Sequence, residues 1–183
     1  TPESLSAALD AVIARHPALR TRLFERDGAL VQEVMPTGAP LEVRPVDAAD
    51  LADRAAACLR EPLALDTSPL RAVLLQPADQ PGRLALAIHH IIADLASIEI
   101  ILRDLQAAWR GDALPAPGGR FVDHVTAEAE WLTSDAGRAT EAFWQDTLAD
   151  LPVDLALPLD HPRPERPSFV RGEIPLALDA ATV

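Results

Sequence analysis

The stretch from Arg83 to Ile92 constrains this chain more than any other. It runs Arg83-Leu84-Ala85-Leu86-Ala87-Ile88-His89-His90-Ile91-Ile92, with almost no polar alternation. A strand with one wet face alternates apolar and polar side chains; a strand this apolar needs cover on both faces, so the run is predicted as an inner strand of a sheet. Helical patterns on either side supply the cover. Thr1-Pro2 places a cap residue before a proline at the first helical position, and Leu5, Leu9, Val12, Ile13 and His16 follow at helical spacing until Pro17. Ile98, Ile101, Leu102, Leu105 and Trp109 mark an amphipathic helix over residues 97–109.

The remaining elements follow from turn signals. Leu19 to Glu25 and Leu30 to Met35 read as antiparallel strands joined at Asp27-Gly28. A short strand over Leu41 to Val46 precedes an Ala-rich helix capped by Asp47 and ending near Arg60. Arg71 to Gln76 is a strand, and Gln80-Pro81-Gly82 the turn into the apolar run. After a flexible joint at Pro115 to Gly119 come helices near Val122–Leu132 and Gly137–Leu148, a proline-rich stretch from Pro158 to Pro167, and a closing strand over Val170 to Leu178. There is no internal repeat. The sum is an α/β chain, a mixed sheet with packed helices in a two-layer sandwich.

Charge and composition exclude several functions. A formal charge of −12, with arginine as the sole basic side chain apart from histidine, argues against nucleic acid, whose phosphates need a basic surface. No apolar run has the length to cross a bilayer and no secretory leader opens the chain, so no membrane role and a cytoplasmic location are expected. Cys58 stands alone and cannot form an internal disulfide.

One segment concentrates the reactive groups: His89-His90-Ile91-Ile92-Ala93-Asp94-Leu95. Consecutive strand residues point to opposite faces, so the two histidines are expected to divide, His90 facing a cleft and His89 packing on the other side. Imidazole is the side chain that titrates nearest neutrality, which suits it to taking a proton at a strand end. A hydrogen-bonded core histidine fits the same position. Asp94 sits where it would cap the helix beginning near Leu95. His90 and Asp94 could also be two ligands of a metal, but a third and fourth ligand lack matching spacing, so no metal is expected.

The same residues resemble the His-His-x-x-x-Asp-Gly signature of the condensation-domain superfamily, which includes chloramphenicol acetyltransferase. The flanks are similar too. Arg15-His16-Pro17-Ala18-Leu19-Arg20-Thr21-Arg22-Leu23 resembles the family's Arg-His-x-x-Leu-Arg-Thr-x-Phe, and Pro62 to Arg71 resembles the stretch before the double histidine. Phe121-Val122-Asp123-His124 looks like its Tyr-x-Asp-Tyr; Phe143-Trp144 and Leu157-Pro158-Leu159-Asp160-His161-Pro162-Arg163-Pro164 fit two further segments. On this resemblance, residues 1–183 are identified as the N-terminal lobe of a condensation domain from a nonribosomal peptide synthetase, lacking the opening segment and the C-terminal lobe.

The resemblance implies an acyltransferase in antibiotic-type peptide biosynthesis. It would join a carrier-bound acyl or peptidyl thioester to an aminoacyl acceptor as an amide. His90 would be the active-site histidine, either as general base or as positioner of the amine. Asp94 would pair with Arg20 or Arg22 and shape the loop, and His89 would be structural. No intrinsic cofactor is implied: substrates arrive on phosphopantetheine arms of donor and acceptor peptidyl carrier proteins, and the C-terminal lobe is the third partner. Leu95 departs from the family glycine, Ala96 from a common aromatic, and Phe121 from tyrosine. An epimerase-type or coenzyme-A-dependent member of the superfamily, or a non-catalytic carrier-binding lobe, would share the motif. The surface meeting the second lobe is expected to be an exposed apolar face.

Overall fold

The computed structural model describes residues 1–152, 155–166, 168, 172, 174 and 175. It divides into two units, Thr1–Ser134 and Asp135–Val183. Helix α1 (Pro2–Arg15) opens as the sequence requires: Pro2 takes the first helical position, and Thr1 Oγ1 accepts from the Ser4 N–H while Ser4 Oγ donates back to the Thr1 carbonyl. Pro17 then starts a 3₁₀ turn, Pro17–Arg20, fastened by Thr21 Oγ1 donating to the Pro17 carbonyl at 2.8 Å. The expected strand therefore starts later, β1 covering Thr21–Arg26 rather than Leu19–Glu25. It pairs antiparallel with β2 (Ala29–Val34) through Asp27 and Gly28, both at positive φ (53° and 76°), the backbone that an Asp-Gly turn favours.

A second sheet holds the core. Strand β3 (Leu41–Pro45) runs parallel to β4 (Leu70–Gln76), and β4 is antiparallel to β5 (Arg83–Ile88), giving the order β3-β4-β5 and a mixed sheet. Between β3 and β4, Asp47 precedes a 3₁₀ turn (Ala48–Asp50) without a side-chain cap bond, and α2 (Leu51–Arg60) starts behind Asp50. The expected Asp47 cap of a continuous helix is thus replaced by a tighter first turn. Helix α3 (Leu95–Arg110) follows β5, ends at Gly111 in the left-handed region, and leads to α4 (Phe121–Leu132). The second unit contributes α5 (Asp135–Leu148). The expected strand over Val170 to Leu178 lies outside the described residues.

Alternation along β4 builds two cores. Leu70, Ala72 and Leu74 join Leu5, Leu9, Val12 and Ile13 of α1 and Ile101 and Leu105 of α3 on one face; Val73 and Leu75 join Ala85 of β5 and Ala55 and Cys58 of α2 on the other. Burial of this kind is worth roughly 1.5–3 kcal/mol for each large aliphatic side chain. Helix α2 adds cover on the second face of the sheet.

One expectation is corrected. The inner strand among the described residues is β4, and β5 stands at the sheet's edge. Its apolar run is explained by faces rather than neighbours: Leu84, Leu86 and Ile88 pack toward α1 and α3, and Ala85 packs toward α2. A run without polar alternation reports two covered faces. It does not report two paired edges.

Candidate active site

Strand β5 stops at Ile88, so the two histidines sit beyond it. The His89 N–H still donates to the Pro69 carbonyl (2.9 Å), which extends the pairing with β4 by one bond, and the Ile92 N–H returns to the His89 carbonyl (3.1 Å) to close a turn. His89 is half-buried, and its Nδ1 accepts from the Ile91 N–H at 3.1 Å. In the neutral ring that leaves the proton on Nε2. His90 is exposed at the outer corner of the turn. The expectation that strand alternation divides the two histidines is therefore corrected: the turn, not the pleat, separates the two rings. A cavity of about 730 Å³ lies between Ser4, Ala8 and Ala11 of α1 and Ala108 to Pro117 at the end of α3, but no imidazole borders it, and we set it apart from the site.

Asp94 closes the segment. Its backbone is extended (φ −109°, ψ −171°) and its Oδ1 accepts from the Ser97 N–H at 2.8 Å and from Ser97 Oγ at 2.7 Å, which makes it the N-cap of α3. The Ser97 side-chain and backbone hydrogen bonds hold its carboxyl below the usual 3.8, and the neighbouring His90 adds a smaller pull in the same direction. His89, His90 and Asp94 are thus gathered in one turn.

Arg20 and Arg22 do not complete that group. Arg20 Nη1 donates to the Met35 carbonyl. Arg22 Nε and Nη2 both donate to Glu33 Oε2, at 3.0 and 2.7 Å across the β1–β2 pair. Among the described residues no ion pair joins Asp94 to either arginine, which corrects the expected pairing; its Oδ1 takes both cap bonds from Ser97.

The arginine-held aspartate is another one. Asp104, 3% exposed on α3, receives Arg15 Nε at 2.9 Å and lies 2.7 Å from His16 Nε2, both on Oδ2. Burial pushes its carboxyl up, but the hydrogen bonds from His16 and Arg15 and the Arg15 charge outweigh that, so the net displacement from 3.8 is downward. This group ties the C-terminal end of α1 to α3. It accounts physically for the Arg15-His16 pair in the sequence. The signal was legible: Asp104 shares the inner stripe of α3 with Ile101 and Leu105, and a charge on a core stripe requires a partner.

Among the described residues no three histidine, cysteine or acidic side chains are placed to hold a metal ion, and no helix is long and apolar enough to cross a membrane.

The chain matches the Condensation domain family over residues 1–183, and it belongs to that family. Among its relatives is a probable non-canonical nonribosomal peptide synthetase, CymA of Salinispora arenicola, 38% identical over 186 residues that cover 93% of this chain and 2% of that protein. The crystal structure of the X-domain from teicoplanin biosynthesis superposes with a TM-score of 0.77 at 30% identity, covering 91% of this chain and 40% of that one. The condensation domain described for chain release from the enacyloxin polyketide synthase gives 0.73 at 31% identity, over 83% of this chain and 32% of that one. The chain thus spans a small part of its curated relatives and under half of the solved chains.

Proposed function

We propose that this chain is the N-terminal lobe of a condensation domain that forms an amide bond in nonribosomal peptide biosynthesis, with His90 as the assisting residue. The observation that supports it most is the turn itself: within a family match across the whole chain, His90 is held out from the fold, free of structural hydrogen bonds among the described residues, beside a capped Asp94. In the reaction the acceptor's amine nitrogen attacks the donor's thioester carbonyl. A C–N bond forms and the C–S bond breaks. The amine proton passes to the His90 ring, acting as base, and from it to the departing sulfur, so the donor arm leaves as its thiol. Donor and acceptor arrive on the phosphopantetheine arms of two peptidyl carrier proteins, the lobe brings no cofactor of its own, and the setting is the cytoplasm. The other half of the site comes from a C-terminal lobe, because donor and acceptor need two walls to meet in near-attack geometry.

The test uses the intact parent enzyme with loaded carriers and mass-spectrometric detection of amide product. His90→Ala is expected to lower the rate by about 10²–10⁴, the usual contribution of a positioned acid–base group. Full-rate product from that variant would remove His90 from the mechanism. The 183-residue chain alone is expected to give no product above background.

A second reading is favoured by one observation. The X-domain that resembles this chain is also known in a complex with OxyB, so a condensation-type fold can serve as a docking platform for another protein. In that case His90→Ala would leave partner binding intact, and the intact parent would yield no amide.

A further inference from the structure

The cavity set apart from the His90 turn has a construction of its own. Ser4, Ala7, Ala8, Ala11 and Arg15 border it at helical spacing, so it follows one stripe of α1 over about 16 Å. Between Ser4 and Arg15 that stripe carries nothing larger than a methyl group. The chain after α3 supplies more of the wall, with Leu114, Pro115 and Pro117. Trp109 stands at the Ser4 end, where its indole N–H donates to Ser4 Oγ at 3.2 Å. Arg15 stands at the other end, and its guanidinium is only partly used. Nε donates to Asp104, Nη1 is enclosed without a partner, and Nη2, which is not enclosed, makes no hydrogen bond among the described residues. A side chain only 14% exposed ordinarily has its donors met. The other charged residues on the wall, Arg110 and Asp112, pair with each other at 3.3 Å. Among the described residues bordering the cavity, Arg15 is therefore the charge with donors to spare.

We propose that this cavity binds a medium-chain fatty carboxylate, with its head on Arg15 Nη2 and its alkyl chain along Ala11, Ala8 and Ala7 toward Trp109. A volume of about 730 Å³ falls within the roughly 300–1,000 Å³ of small-molecule sites. The stripe from Arg15 to Ser4, about 16 Å long, has the reach of an extended decanoate. A carboxylate accepts a charge-assisted hydrogen bond from a guanidinium, the stronger kind. Asp104, held on Nε, offsets part of the Arg15 charge, which favours a singly charged head over a phosphate dianion. The alkyl chain gains by leaving water for the alanine methyls and proline rings. The site stands apart from His90, and the proposal is independent of the amide-forming reading.

The test is titration calorimetry of the 183-residue chain with sodium decanoate at neutral pH, and with decanol as the uncharged comparison. Arg15 is left in place because it also clasps Asp104; the head group is varied instead. Decanoate is expected to bind one to one, and decanol about tenfold more weakly or worse, the scale of a hydrogen bond to a charged group. Ala11 is exposed on the stripe, so Ala11→Trp blocks the cavity without disturbing the core, and should weaken decanoate by about tenfold or more. Ala11→Ser leaves the space open and should bind within about twofold of the parent. Equal affinity for decanoate and decanol would overturn the proposal, since Arg15 would then take no part. Decanoate binding untouched by Ala11→Trp would overturn it too, placing the ligand on another apolar surface such as α4. An absence of binding heat from decanoate would dismiss the site altogether.

Discussion

Helix α3 carries two aspartates that do opposite work. Asp104, in its third turn, is 3% exposed and clasped by Arg15 and His16. Asp94, at its N-cap, is exposed and bonded within its own turn to Ser97. Both carboxyls titrate below 3.8, yet for different reasons: at Asp104 partners outweigh the burial that opposes them, and at Asp94 local hydrogen bonds suffice with little burial to overcome. A lowered pKa therefore does not distinguish a carboxylate that holds a fold from one that shapes a site. Removing each should.

The largest effect is expected at Asp104. Breaking a buried pair strands its partners, so Asp104→Ala should cost about 3–5 kcal/mol, a large share of a typical domain's stability. Urea unfolding of the 183-residue chain followed by circular dichroism measures it. If the pair is only decorative, the loss will be under about 1 kcal/mol, as for an exposed ion pair.

The same contrast has a pH signature. The Asp104 carboxyl is depressed in the folded state, so its stabilisation is complete above the ordinary value of 3.8 and is lost as pH falls through the lower folded value. Melting temperature measured from pH 7 down to pH 3 should therefore drop at the acid end. Asp104→Asn should be less stable at pH 7 and show a shallower acid fall. Asp94 remains in both proteins, so the difference between the two profiles belongs to Asp104. Parallel profiles would mean that the Asp104 charge contributes nothing.

Those two aspartates also mark what the sequence disclosed. The reading from residues 89–95 foresaw Asp94 as a cap, because a cap needs only local spacing, but it carried the strand on to Ile92 where the chain already turns at His90. It also assigned Asp94 an arginine partner, Arg20 or Arg22, and among the described residues neither pairs with it. An ion pair between residues 89 positions apart, such as Arg15 with Asp104, depends on how α1 lies on α3, which spacing does not reveal. The strand β5 teaches a similar lesson. Hydrophobicity along Leu84–Ile88 foresaw burial of both faces, but edge and centre differ in backbone pairing, to which side-chain pattern is blind. Every residue of α4 is exposed, the large apolar side chains Phe121, Val122, Val125, Trp131 and Leu132 included.

At Asp94 the effect is expected to be smaller. Loss of a helix cap in a chain of this size lowers the melting temperature by about 2–4 °C. Asp94→Ala should show that drop and Asp94→Ser should recover most of it, because a serine hydroxyl can also accept from the Ser97 N–H. A loss as large as that of Asp104→Ala would mean that Asp94 holds a long-range partner after all, and the arginine pairing would return.

His90 should matter least to stability. Its side chain is exposed, it makes no hydrogen bond among the described residues, and its one resolved influence is the weak pull on Asp94. Exposed positions of this kind change stability little, so His90→Ala is expected to shift the melting temperature of the 183-residue chain by no more than about 1–2 °C. His89→Ala offers the internal control: it removes a half-buried ring and the acceptor used by the Ile91 N–H, and should cost more than its neighbour. The order matters more than either value. A residue retained for chemistry can be removed without loosening the fold, whereas one retained for structure cannot. If calorimetry ranks His90→Ala as the more damaging of the two, the roles of the two histidines are reversed, and His89 becomes the candidate for proton transfer.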